Sequence, residues 1–272
     1  MECSVRDITF AYEDVGTGTP VLMLHGWPLD HRHMLSNFEP VFAQRPGWRR
    51  LYPDLPGMGR TLAADWIETH DQMLELVIEF IERVIPGKRF AVAGTSYGGW
   101  LARGLVHERG AQIDGVLMCV PVVAGDARDR ILPQHRVRRE DAGYLEALAP
   151  GEEGSREMIV AQRTDVLDAW RQVIFPAVEI ADHAFLERLG GNYAFSFDPD
   201  DLEAPFEAPA LIVTGRFDHI CGYQEAFGLL DRYPNATYAV LDWAGHSLPD
   251  ERKELHHALV SDWLDRVEAH VA

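Results

Sequence analysis

The chain has 272 residues, 47% of them hydrophobic, at a mean hydropathy of −0.16; it can bury a sizeable core, as one large α/β domain or two small ones. A formal charge of −18 at pH 7 and an isoelectric point near 5.0 exclude the basic face that nucleic acid or an anionic membrane requires, and disfavour steering of strongly anionic substrates. No run of about 18 apolar residues offers a membrane span, the opening residues lack a basic-then-apolar leader, and Cys3, Cys119 and Cys221 are too few and scattered for a disulfide framework or metal knuckle, which suits a reducing cytoplasm.

In chain order, Glu2–Val5 and Ile8–Val15 read as two antiparallel strands, turning into the next segment at Gly16-Thr17-Gly18. Val21–His25 is a short apolar run typical of a strand buried on both faces. A helix is expected over His31–Gln44 and a strand over Arg49–Tyr52, followed by the loop Pro53–Gly59. Thr69-His70-Asp71-Gln72 has the form of a capping box, and Met73, Val77, Phe80 and Val84 then repeat at helical spacing until Pro86-Gly87. Strands are expected at Arg89–Ala93, Gly115–Val120, Ala210–Gly215 and Thr237–Leu241, with a helix over Tyr223–Asp231. A closing amphipathic helix presents Leu255, Leu259, Trp263 and Val267 on one face. This alternation implies a mostly parallel sheet covered by helices on both sides. From Val122 to Phe206 the rhythm breaks into helical pieces (Ser155–Thr164, Val166–Phe175, Asp182–Leu189) with no convincing strand. The division expected is a core of residues 1–121 and 207–272 with a helical cap inserted as 122–206.

The chemistry concentrates at Gly94-Thr95-Ser96-Tyr97-Gly98, between a strand and a helical pattern beginning at Trp100. A serine flanked at two residues either side by glycine sits on a turn too tight for side chains at those positions, and its hydroxyl is held in the open. A serine hydroxyl needs a base, and the base needs a partner that fixes its tautomer. Asp218 follows the strand ending at Gly215, and His246 follows the strand ending at Leu241. The carboxyl ends of parallel strands share one edge of the sheet, so all three residues are able to converge there. Developing negative charge on a substrate oxygen calls for backbone donors. Tyr97 N–H is one, and Trp27 N–H in His25-Gly26-Trp27-Pro28 is the other, since Pro28 cannot donate.

These stretches, with Asp54-Leu55-Pro56-Gly57-Met58-Gly59, Gly215-Arg216-Phe217-Asp218 and Gly245-His246, resemble the α/β-hydrolase fold superfamily from about Val5 to the last helix, the cap apart. The resemblance implies an eight-stranded, mostly parallel sheet, a Ser96–His246–Asp218 triad and an oxyanion hole from the Trp27 and Tyr97 main chain, with neither cofactor nor metal. Members that cleave epoxides or carbon–halogen bonds carry aspartate where this chain has Ser96. Acyl transfer to water is therefore expected, on a small and largely apolar carboxylic ester. A carbon–carbon bond or lactone hydrolase is the alternative within the fold, and a non-catalytic small-molecule receptor the alternative outside catalysis. Asp126 competes with Asp218, because some members take the acid from the loop after that earlier strand; Asp242 lies too close to His246 in sequence.

His25 is structural, holding the oxyanion turn; Asp54 belongs to a structural turn. His31 and His33 have a spacing seen in metal sites but lack a third ligand, so solvated side chains are expected; His256-His257 reads as a wet helix face. Cys221 is a buried small hydrophobe or a neighbour of the acid loop. Trp170, Phe175, Phe185, Tyr193, Phe195, Phe197 and Phe206 either line an apolar pocket or form the cap's own core. The expected partner is a small molecule, with neither nucleic acid nor membrane; a homodimer is left open.

Overall fold

The computed structural model describes residues 1–190 and 192–272. β1 (Glu2–Val5) and β2 (Ile8–Gly16) form the expected antiparallel pair. They are followed by β3 (Thr19–Leu24), α1 (His31–Phe42), β4 (Trp48–Pro53), α2 (His70–Val84), β5 (Phe90–Thr95), α3 (Tyr97–Arg109) and β6 (Ile113–Cys119). Next come β7 (Arg139–Glu140), α4 (Ala142–Ala147), α5 (Ser155–Met158), β8 (Ala161–Gln162), α6 (Thr164–Ala169), α7 (Phe175–Ile180) and α8 (His183–Leu189). The chain closes with β9 (Ala210–Gly215), β10 (Ala236–Leu241), α9 (Leu248–Glu251) and α10 (Lys253–Val271). Eight strands form one sheet in the order β1-β2-β4-β3-β5-β6-β9-β10, antiparallel at β1-β2 and β2-β4 and parallel across the rest. This is the α/β-hydrolase architecture. Among the described residues no helix is long and apolar enough to cross a membrane.

The two-residue period of the central strands sorts their side chains between two apolar layers. Leu22 and Leu24 of β3 and Val92 of β5 pack with Val77 of α2 and Leu101 of α3. Val21 and Met23, with Ala91 and Ala93, pack with Phe38 of α1 and Trp263 of α10. Helices therefore cover both faces, and the strand ends stay level: Leu24 lies beside Gly94, Gly94 beside Met118, and Gly215 beside Leu241. That common rim positions every residue considered below.

Several expectations are corrected. The predicted helix Ser155–Thr164 is α5 followed by β8, which pairs with β7 over two residues, a strand pair too short to leave a periodic signal. The predicted helix Tyr223–Asp231 is a 3₁₀ helix over Glu225–Asp231. The piece expected at Val166–Phe175 belongs to a longer run in which a π-helical segment, Trp170–Ile174, joins α6 to α7. Pro176 removes a donor from this helix, and the wider π turn accommodates it. On α10 the buried stripe is His256, Val260, Trp263, Leu264 and Val267, whereas Leu255 is exposed. His256 is thus fully buried, edge-on to Phe38 at 5.1 Å, and His257 bonds through Nε2 to the Asn37 carbonyl at 3.1 Å; neither lies on a wet face. Of the segment's aromatics, Trp170 and Phe175 pack in a small separate cluster with Tyr144 and Leu167. Phe185, Tyr193, Phe195, Phe197 and Phe206 join the main core.

Two contacts fix the rim. A Cβ on Gly98 would overlap the Leu24 carbonyl oxygen, and one on Gly94 the Gly98 carbonyl. Glu251, buried in α9, accepts the N–H groups of Val160 (2.5 Å) and Ala161 (2.9 Å) on one carboxylate oxygen and that of Gly245 (2.6 Å) on the other. It ties the segment after α5 to the loop after β10. Gly98→Ala is expected to destabilise by about 3 kcal/mol or more, since backbone rather than a flexible side chain must yield; Gly110→Ala, with open space around its Cβ, serves as the neutral control. Glu251→Ala leaves three buried donors without an acceptor and is expected to cost about 3 kcal/mol or more. Urea denaturation of the purified variants reads both, and an unchanged midpoint for either contradicts the assignment.

Candidate active site

Ser96 sits between β5 and α3 with φ 55° and ψ −115°, a left-handed backbone that a non-glycine residue adopts only under constraint. The constraint is visible. The Ser96 N–H donates to Cys119 O at 2.9 Å, and its carbonyl accepts from Gly99, Trp100 and Val122. Gly94 and Gly98 permit the two arms of the turn to touch. The Ser96 hydroxyl lies 3.0 Å from His246 Nε2, and His246 Nδ1 lies 2.9 Å from Asp218 Oδ2. Asp218 is completely buried, and its other oxygen accepts the N–H groups of Ile220 and Cys221, each at 2.9 Å. A carboxylate beside Nδ1 fixes the proton there, leaving Nε2 as an acceptor for the serine hydroxyl. Burial disfavours the imidazolium of His246, but the Asp218 carboxylate outweighs it and raises the ring's proton affinity well above that of an ordinary histidine.

The loops carrying the two partners are stitched together. Phe217 N–H donates to Ala244 O and Arg216 N–H to Leu241 O, both at 2.9 Å, and a Cβ on Gly215 would overlap the Gly245 carbonyl. Asp126 is not part of this arrangement: its carboxylate pairs with Arg128 at 2.5 Å. Asp242 is exposed and lies 3.9 Å from Arg138.

The Trp27 and Tyr97 N–H groups find no acceptor among the described residues. Gly26 abuts Ser96, a Cβ there falling 3.2 Å from the serine Cβ, so the Trp27 loop runs directly past the hydroxyl. The two donor residues are clamped by their own rings: Trp27 packs edge-on against Tyr97 at 5.3 Å, and both meet Tyr193, at 5.6 and 5.0 Å. The Tyr97 hydroxyl shares a 2.8 Å hydrogen bond with His70 Nδ1. His25 completes the support. Its Nε2 accepts from Leu55 N–H at 3.0 Å, which leaves Nδ1–H to donate to Gly26 O at 2.9 Å, so the ring braces the turn that carries Trp27. Asp54, also buried, accepts from the His31 and Arg60 N–H groups and pairs with His31 Nδ1 at 2.7 Å.

Ser96 and His246 open onto a cavity of about 240 Å³. Its walls are mostly apolar: Trp27, Pro28 and Leu29 from the first loop, then Met158, Trp170, Ile174 and Val178 from the segment between β6 and β9. The π-helical turn thus supplies Trp170 and Ile174. Four polar residues given no site role in the sequence also line it, His33, Thr95, Ser247 and Asp250. The expectation that His31 and His33 are solvated is overturned, since His31 is bound to Asp54 and His33 is buried against the cavity. Amphipathic placement on α1 carries the only trace of this, Met34, Asn37 and Phe38 sharing its buried side. Cys221 is buried with its Sγ 3.9 Å from the Ser96 hydroxyl, so it both fills space and neighbours the acid loop.

Two groups have the ligand types a cation would take, Asp218-Cys221-His246 and Asp30-His31-Asp54. In the first, Asp218 and His246 bond each other; in the second, Asp30 holds Arg32 and Asp54 holds His31. The donor atoms are committed to protein partners.

The profile of the Alpha/beta hydrolase family matches residues 21–258. The AB hydrolase superfamily protein YisY of Bacillus subtilis (strain 168) is 30% identical over 269 residues, 94% of this chain and 95% of its own length. The 2-hydroxy-6-oxononadienedioate/2-hydroxy-6-oxononatrienedioate hydrolase 2 of Pseudomonas putida is 23% identical over 95% of this chain and 92% of its own. Among solved structures, an alpha/beta superfamily hydrolase from Oenococcus oeni PSU-1 matches with a TM-score of 0.86 at 30% identity, over 98% of this chain and 99% of that one. With its sheet order, its level strand ends and the match over most of its length, the chain belongs to the alpha/beta hydrolase family.

Proposed function

We propose that this protein is a cofactor-free serine hydrolase that cleaves a small, largely apolar carboxylic ester through an acyl-enzyme. The observation that carries the reading is the unbroken hydrogen-bond series from Ser96 through His246 to Asp218 at the edge of an apolar cavity. Ser96 Oγ attacks the ester carbonyl as its proton passes to His246 Nε2, and Asp218 stabilises the imidazolium. The Trp27 and Tyr97 N–H groups receive the negative oxygen. His246 then gives its proton to the leaving alcohol. Water attacks the Ser96 ester, losing a proton to His246, and the carboxylic acid departs as the Ser96 hydroxyl is restored. The free state of Cys3, Cys119 and Cys221 is in keeping with a cytoplasmic setting.

The Pseudomonas putida relative gives weight to a second reading, carbon–carbon bond hydrolysis with the same nucleophile. The substrate in that relative's name is a dicarboxylate, whereas no lysine or arginine is found among the residues lining this cavity. An uncharged ester suits these walls better. Product analysis on β-diketones and lactones beside simple esters separates the two.

Ser96→Ala is expected to lower turnover of the best ester by about 10⁶-fold, and an organophosphonate is expected to label Ser96 alone. Asp218→Asn is expected to lower turnover by about 10⁴-fold. In the wild type, kcat/KM is expected to rise with pH through a limb above 6.5, because His246 acts only when neutral and Asp218 holds its proton more tightly. Removal of the Asp218 charge should move that limb downward. Esterase activity retained in Ser96→Ala defeats the reading; tight ligand binding with no turnover of any ester points instead to a receptor.

A further inference from the structure

The cavity contains a polar group that the proposed reaction does not use. His33, on α1, is 6% exposed and lines the cavity that Ser96 faces. Its Nδ1 has no partner, and neither ring nitrogen is hydrogen-bonded to any described residue. An unsatisfied polar group at a buried site costs on the order of 1–3 kcal/mol; of the groups so placed in this chain, His33 Nδ1 and Trp170 Nε1 belong to residues lining the cavity, where a bound ligand can satisfy them. Met or Leu would occupy the same position in the lining without that penalty. Asp250 on α9 also lines the cavity; it is half-buried, and its carboxylate is paired with no described residue. Two cations act on it from a distance, Lys253 and, more weakly, Arg163, whose guanidinium donates to Asp165 and to the backbone carbonyls of Glu251 and Asp250.

We propose that His33 and Asp250 determine specificity, selecting an ester that carries an uncharged hydrogen-bonding group, a hydroxyl above all, beyond its scissile bond, and rejecting one that carries a second carboxylate. The proposal rests on the ester-hydrolase reading. His33 supplies the recognition. Burial, with His25 and His246 nearby, lowers its pKa to about 3, so at neutral pH the ring is uncharged, with one nitrogen to donate and one to accept. Both match a hydroxyl, and neither attracts an ion. Asp250 supplies the exclusion. No lysine or arginine lines the cavity, so a second carboxylate brought beside Asp250 meets a like charge with no cation in the lining to offset it; burial and the adjacent Glu251 already raise the Asp250 carboxyl to about 7, the same cost acting on its own charge. An apolar wall discriminates weakly against an added hydroxyl, whereas a buried hydrogen-bonding group discriminates strongly against its loss.

The test uses the purified full chain and short methyl esters followed by proton release: methyl butyrate, its α- and β-hydroxy counterparts and the monomethyl ester of succinate, with ethyl and hydroxyethyl butyrate as the pair that moves the hydroxyl to the alcohol side. The wild type is expected to prefer at least one hydroxylated ester over its plain partner by about tenfold in kcat/KM. His33→Met is expected to bring that ratio close to one while its Tm stays equal or rises, the outcome for a recognition residue whose burial is unfavourable. Asp250→Asn is expected to raise kcat/KM for the succinate monoester by about tenfold relative to methyl butyrate. The proposal falls if the wild type prefers every plain ester, if His33→Met slows plain and hydroxylated esters equally, or if it lowers Tm while leaving the ratio intact. Failure of the underlying reading looks different: no ester is turned over, or Ser96→Ala turns them over as well as the wild type.

Discussion

The site depends on one strained residue. Ser96 holds φ 55° and ψ −115°, a conformation costing on the order of 1–3 kcal/mol that survives only where the surroundings over-determine it. Here they do so on three sides. The turn is bonded to the end of β6 through Cys119 and Val122. Gly98 lies against the end of β3, where only a hydrogen fits beside the Leu24 carbonyl, and Gly94 lies against Gly98 itself. The strain therefore points a hydroxyl out of the sheet rim in a direction that no relaxed strand-to-helix connection provides, and places the Tyr97 N–H beside it at the start of α3.

The remaining groups reach that hydroxyl because the sheet is parallel at its centre. Loops after β3, β5, β9 and β10 leave from the same edge, and each is bonded to a neighbour rather than left to find its own position. His25 joins the first loop to Leu55, Phe217 joins the acid loop to Ala244, and Glu251 joins the histidine loop to the segment after α5. Glu251 thus links the wall of the cavity to the loop that carries His246. Rigidity of this kind suits chemistry in which donors must already face the position where charge develops.

How much of this was legible in the chain varies with the range of the interaction. The turn around Ser96 was readable because its requirements are local: two glycines, a strand before and a helix after. The close approach of the Gly26-Trp27-Pro28 loop to Ser96 is legible for a similar reason, since Gly26 leaves room beside the serine. The choice between Asp218 and Asp126 was not settled by the residues themselves, as both follow strands on the same rim; Asp126 turned out to be engaged by Arg128, two residues away. His33 and His256 misled for a common reason. Each lies beside another histidine or a charged residue and reads as solvated, yet each occupies the inward side of its helix. The segment between β6 and β9 is the least legible part, because four-residue helices, two-residue strands and a π turn leave no periodic pattern, and its aromatics divide between two cores.

The sequence by itself determined the strand–turn–helix corner, the order of the chemical groups and the sheet that gathers them, since glycine placement and apolar period act on the backbone within a few residues. Tertiary structure alone decided that a hydroxyl and an imidazole 150 positions apart lie within 3.0 Å. It alone decided, too, that His33 of α1 lines the mostly apolar cavity beside Ser96. Such distances are set by how whole helices and loops pack on the sheet, and no local stretch of residues encodes them.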